Sequence, residues 1–249
     1  MTKQATIAQL QAAHELGDHE AVLRLTQDRL ADHPGDDAAH ELRARALLSL
    51  DRLEEAERHA SDAVRLDPDE IRYRELLAQV LARSGAHRDA ANEFGRLARN
   101  DPRQADWTVA ESRERLNASQ PQMSVEAARR AVDLEPRNGQ AQLALSRALA
   151  RVGDAPGAFR AAGVATRLLG GLPEAREALA DARWLGNDDA TAFDEFRELA
   201  LELDGADRER VTEKARALYR QHAGVPGRVL AGIGPVFAFG FRDGWLSVR

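Results

Sequence analysis

Prolines stand at positions 34, 68, 102 and 136, each 34 residues after the last. Four of the nine prolines therefore share one ladder, which chance rarely produces, and no other feature restricts the fold so strongly. Between the rungs a pattern of small and apolar residues recurs. In 37–70 it reads Ala44, Leu47, Ala56, Ala60, Ala63 and Leu66, closed by Pro68. Self-similarity at a fixed period of this length is the mark of stacked repeats, so the chain reads as a helical solenoid.

The stretch 37–70 resembles a tetratricopeptide repeat, a helix–turn–helix unit of 34 residues whose pattern ends in proline. The resemblance covers 3–206 in six repeats: 3–36, 37–70, 71–104, 105–138, 139–172 and 173–206. It is sharpest in the second, third and fifth. It implies an all-α fold, a right-handed solenoid of helix pairs. A helix over 207–223, with an apolar stripe through Val211, Ala215 and Leu218, is the cap that such arrays need for solubility. The bulky aromatics often found in the family's first helices are mostly absent, which leaves an alanine-rich pattern.

Local signals fill in the repeats. Asp18 is placed to cap a helix, and Asp51 with Glu54 to form a box-like cap in the next repeat. Gly85 marks a turn, and Phe94 is a core residue. Arg29 stands where the second repeat has Ala63, a looser match at the array's end. In 105–138, Glu111 and Arg115 replace leucines, and the polar turn around Ser119 and Pro121 reads as lengthened. Either this helix is rotated relative to its neighbours or the charged pair faces a partner. Gly170 takes the next rung, Pro173 opens a helix at a favoured first-turn position, and Asp204 takes the last rung.

Composition agrees with helices packed through alanine and leucine: 43% hydrophobic, 31% charged and only 5% aromatic. A net charge of −6 argues against a general nucleic-acid binder. The lack of cysteine excludes disulfides, iron–sulfur clusters and thiol catalysis. Lys3 and Lys214 are the sole lysines beside abundant arginine, read as the coding bias of a GC-rich bacterial source. The N-terminus has no basic-then-apolar signal layout, and no apolar run approaches the roughly 20 residues of a membrane helix. The longest, 229–241, is broken by Gly232, Gly234, Pro235 and Gly240. A cytoplasmic protein without a membrane span is expected.

Catalytic patterns are thin, and no enzyme activity is expected. His14-Glu15 and His40-Glu41 lack the second histidine of a zinc helix, and no phosphate loop is present. His14, His19, His33 and His40 could meet at neighbouring helix ends, but histidines in a polar array are mostly surface residues. Neither metal nor cofactor is expected. Glu54-Glu55 and Asp188-Asp189 sit at helix starts, where they favour the macrodipole.

The resemblance also implies a binding face. In the family, places nine and thirteen of each first helix point into an inner groove. Carried over, place nine reads Gln11, Arg45, Gln79, Arg113, Arg147 and Asp181; place thirteen reads Glu15, Ser49, Arg83, Asn117, Arg151 and Leu185. Five arginines thus line the groove, while Glu174, Glu177 and Asp181 make its last repeat acidic. The Lys/Asn set with which some relatives clamp a C-terminal carboxylate is not here. Arginine's planar fork still suits carboxylates. The expectation is an adaptor that binds an acidic peptide or protein surface through Arg45, Gln79, Arg83, Arg113, Asn117, Arg147 and Arg151.

Composition changes after Gly224, where glycine and aromatics crowd together. Apolar residues alternate on both sides of Asp243-Gly244, a two-residue turn signal, so a β-hairpin is predicted, with an extended apolar tail as the alternative. In that register Phe237, Phe239, Phe241, Leu246 and Val248 share one face, with Trp245 beside the turn. Such a face needs cover: its own chain, a second copy in a homodimer, or a partner. An assembly factor docking through this tail is therefore the second functional reading.

Overall fold

The computed structural model describes residues 6–222, and the tail with its proposed hairpin lies outside them. Thirteen helices and no strand occur among the described residues. They fall into two compact bodies that divide between Glu135 and Pro136. No helix among the described residues is long and apolar enough to cross a membrane.

The first body holds α1 (Ile7–Glu15), α2 (His19–Asp32), α3 (Asp37–Ser49), α4 (Leu53–Leu66), α5 (Ile71–Arg83), α6 (His87–Asn100), α7 (Ala105–Asn117) and α8 (Pro121–Leu134). Each helix packs on the next, and α3 also touches α1 and α5. The second body holds α9 (Gly139–Arg151), α10 (Ala155–Leu168), α11 (Pro173–Leu185), α12 (Asp189–Glu202) and α13 (Gly205–His222). Here too neighbours pack in order, and α9 meets α11.

The prolines act through the residue before them. A proline ring disfavours helical φ/ψ in its predecessor and pushes it toward extended backbone. His33, Asp67, Asp101 and Glu135 close α2, α4, α6 and α8 with φ between −134° and −130°. Where Gly170 takes the rung, Leu169 stays at φ −93°.

A second ladder lies inside the pairs. Gly17, Asp51, Gly85, Ser119, Gly153 and Asn187 recur every 34 residues, and all have positive φ, from 58° to 83°. Each reverses the chain within a three-residue turn between paired helices. Glycine adopts this conformation without penalty. Asp51 is thus a turn residue and not a cap: Arg52 precedes α4 without a side-chain capping bond. The turn at Ser119 is as short as the others, not lengthened. Asp18 does cap α2, its carboxylate accepting the Ala21 N–H at 2.9 Å.

Paired helices meet at small residues. Ala44 and Ala56, Ala78 and Ala90, Ser112 and Ser124, Ser146 and Ala158, and Ala180 and Ala192 are all buried. Where serine replaces alanine its hydroxyl finds a carbonyl: Ser112 Oγ donates to Ser124 O and Ser124 Oγ to Ser112 O, at 3.0 and 2.8 Å. Phe94 is core, and Val211, Ala215 and Leu218 of α13 bury against the cluster around Phe193 and Phe196.

In α7 neither sequence reading of the charged pair holds. Glu111, Ser112, Glu114 and Arg115 are buried at the same four places as Leu77, Ala78, Val80 and Leu81 of α5. The helix keeps its register and takes its charges inside. Arg130 donates to Glu111 Oε2 at 2.8 Å, and Arg115 lies 3.5 Å from Glu111 Oε1. Arg115 also donates to Gln120 and Asn92, at 3.0 and 3.2 Å.

Candidate partner-binding face

The candidate residues fall into three electrostatic settings. Arg45, on α3, is paired with Glu41 one turn earlier, and Glu41 is buried. Arg113 Nε donates to Glu114 Oε1 at 2.9 Å, and Asn117 donates to Glu114 Oε2 at 3.3 Å. His87 Nδ1 reaches the same carboxylate at 2.8 Å. Glu114 is only 3% exposed, so these bonds satisfy a buried charge, and breaking them all would leave it unpaired at high cost.

Arg83 differs. Its partner Asp51, at 3.2 Å, is exposed, as is Arg83 itself. An exposed pair contributes about 0–1 kcal/mol, so an incoming carboxylate can replace Asp51 at little cost. Gln79 is exposed and bonds Glu75 weakly at 3.4 Å.

Arg147 and Arg151 form the third setting. They lie one turn apart on α9, exposed, and no ion pair engages either among the described residues. Asp181 and Leu185 hold the matching places on α11, which packs on α9. The acidic character expected there is largely neutralised from α13. Lys214 Nζ donates to Asp181 at 2.6 Å and to Glu177 at 2.8 Å, and Arg210 donates to Glu177 at 2.7 Å. Burial raises the Asp181 carboxyl, against the pull of Lys214 and, at longer range, of Arg147.

A second polar cluster was not legible as such. His14, His19, His33 and His40 could have met at neighbouring helix ends; the histidine contact in the structure runs across the helix pair, His40 with His59. Their Nδ1 atoms lie 2.9 Å apart, and Asp62 Oδ2 is 3.8 Å from His40 Nδ1. The network fixes the tautomers. Pro34 O, 3.1 Å from His40 Nε2, can only accept, so His40 carries its hydrogen there. Arg43 Nε donates to His59 Nε2 at 3.1 Å, so His59 carries its hydrogen on Nδ1 and gives it to His40. Burial, then the Arg43 guanidinium, holds the His59 imidazole down to about 4. Arg43 is itself anchored, donating to Leu23 O and Thr26 Oγ1 at 2.7 and 3.1 Å.

Comparison with known proteins places this geometry. Residues 13–80 match the family model described as tetratricopeptide repeat. Among curated proteins none matches the chain in sequence. A tetratricopeptide repeat protein from Parabacteroides merdae superposes with a TM-score of 0.71 at 13% identity, over 90% of this chain and 94% of that one. YrrB, described as a TPR protein with an unusual peptide-binding site, gives 0.56 at 16% identity, over 76% and 97%. Yeast Tom70 gives 0.58 at 18% identity over 84% of this chain, which spans only 45% of Tom70. At these identities the likeness is one of fold: residues 13–80 match the tetratricopeptide repeat family, and the chain as a whole has the helical-repeat fold of tetratricopeptide repeat proteins.

Proposed function

We propose that the protein is a non-enzymatic scaffold for protein–protein interaction that holds an acidic peptide or acidic protein surface on its first helices. The observation that carries this is the pair Arg147 and Arg151, two exposed guanidinium groups one helical turn apart with no acid within ion-pair distance of either among the described residues. A guanidinium takes a carboxylate through two parallel hydrogen bonds, and an unpaired one loses no internal partner on doing so. Lys214 holds Asp181 at 2.6 Å, so Arg147 feels that acid only at longer range and keeps its donors for an incoming carboxylate. Arg83 and Gln79 supply readily exchanged contacts on the first body. Arg113 and Asn117 contribute from a frame set by Glu114, and Arg45, tied to buried Glu41, contributes least.

Fluorescence anisotropy with labelled Glu/Asp-rich and Lys/Arg-rich peptides of equal length tests this reading. The acidic peptide is expected to bind more tightly and to weaken as salt rises, since steering and rim pairs are screened. Equal affinity for both, indifferent to salt, would overturn it.

A further inference from the structure

We propose that His40, His59 and Asp62 form a binding site for a divalent transition-metal ion of the zinc class. Three ligand atoms, one from each side chain, lie within 4.8 Å of one another. They are held on two packed helices, His59 and Asp62 one turn apart on α4 and His40 opposite on α3. Two imidazoles on one tetrahedral zinc, with Zn–N near 2.0–2.1 Å, place their nitrogens about 3.3 Å apart. The observed 2.9 Å between the Nδ1 atoms, and 3.8 Å from His40 Nδ1 to Asp62, lie within half an ångström of that spacing. Small rotamer adjustments bring all three onto one ion, with a fourth position left for water.

The surroundings of His40 already have the form that a metal ligand needs. A ligating imidazole donates its other N–H to a carbonyl or carboxylate, which fixes the ring and its tautomer. His40 Nε2 meets Pro34 O at 3.1 Å, leaving the Nδ1 lone pair directed at the site. His59 must change: to ligate through Nδ1 its hydrogen moves to Nε2, with no net proton released. That nitrogen then faces the N–H of Arg43 Nε, at present 3.1 Å away, donor against donor. Arg43 has to withdraw its Nε while keeping its bonds to Leu23 and Thr26. Arg43 is thus the residue that limits affinity. Removing its guanidinium relieves both the donor clash and the repulsion of a dication.

The test uses the full chain, stripped with chelator and titrated with Co²⁺ by visible absorption and with Zn²⁺ by calorimetry. The expected result is one saturable site whose cobalt spectrum has the intensity of four-coordinate nitrogen/oxygen ligation. His40→Ala and Asp62→Asn each weaken binding by at least about tenfold, and Arg43→Leu tightens it by about tenfold, the range of effects of single ligand-shell changes. Circular dichroism checks that each variant folds. As a measure that needs no variant, the His40 and His59 ring resonances of the native protein shift on zinc addition. Absence of saturable binding, or binding that leaves those resonances unmoved, overturns the proposal.

Discussion

Gly95 leaves the space in which the Glu111 carboxylate lies: a Cβ at position 95 would stand 3.0 Å from Glu111 Oε1 and 3.1 Å from its Cδ. The carboxylate cannot easily retreat, because Arg130 and Arg115 hold it by ion pairs. A small residue on α6 is therefore what lets α7 bury an acid where its neighbours bury leucine.

Gly95→Ala tests this directly. Helix propensity alone favours alanine by about 1 kcal/mol, whereas overpacking costs about 1–3 kcal/mol. With the neighbour pinned, the clash wins and the melting temperature falls. Gly163→Ala in α10 is the control, since a Cβ there would meet the tip of Arg167 at 3.9 Å. There propensity wins and the melting temperature rises.

The buried pair of α7 is expected to be replaceable but not divisible. Glu111→Leu with Arg115→Leu restores the apolar pattern of α5, and such replacements are often neutral or stabilising by about 1–4 kcal/mol. Glu111→Leu alone strands Arg115, 8% exposed, without its acid and costs about 3–5 kcal/mol. Denaturant unfolding of both variants separates the two. A double variant less stable than the single one contradicts this account of the core.

Much of the fold was legible because its signals are backbone signals. The proline rungs, the Asp18 cap, Phe94 in the core and the stripe on α13 follow from residue type and spacing. The second ladder was hidden because only Gly17, Gly85 and Gly153 carry the residue type that announces it; Asp51 read as a cap and Ser119 as part of a polar turn. The charges of α7 misled because a charged residue reads as surface, and their partners come from other helices. A usable signal exists: His40 and His59, Arg74 and Glu93, and Glu111 and Arg130 all pair at a separation of 19, across one helix hairpin. The candidate arginines were nameable from the repeat register, but sequence alone could not say that Glu41 and Glu114 hold two of them from within.

The turn ladder makes its own prediction. Ser119 sits at φ 58°, where an L-residue costs roughly 1–2 kcal/mol. Ser119→Gly removes that cost against a smaller entropic loss, for a net gain of about 0.5–1 kcal/mol. Asn187, at φ 63°, tolerates the left-handed region, so Asn187→Gly gains less. Thermal unfolding orders the two, and equal shifts would contradict the explanation.

Lys214→Met leaves Asp181 without its donor and Glu177 with Arg210 alone. The loss at neutral pH is about 1–3 kcal/mol, the cost of leaving partly buried acceptors unsatisfied. Its pH dependence has a definite sign. The folded carboxyl of Asp181 is already raised by burial, and losing Lys214 raises it further. The native state then binds a proton at higher pH than the unfolded chain, so stability falls as pH rises through that window. The variant's deficit should shrink on acidification toward the carboxylate range. A deficit constant with pH would show that Asp181 is not the group involved.

The central claim is that exposed arginines on the first helices, free of ion pairs among the described residues, hold an acidic partner. The most direct measurement is the affinity of an acidic peptide for Arg147→Glu/Arg151→Glu, alongside far-UV circular dichroism. Exposed substitutions change stability by about 0.5 kcal/mol or less, so the helical signal should be unchanged. Reversing both charges should cost at least about 1.4 kcal/mol of binding, a tenfold loss. A folded double variant that binds the peptide as tightly as the native protein would contradict the account.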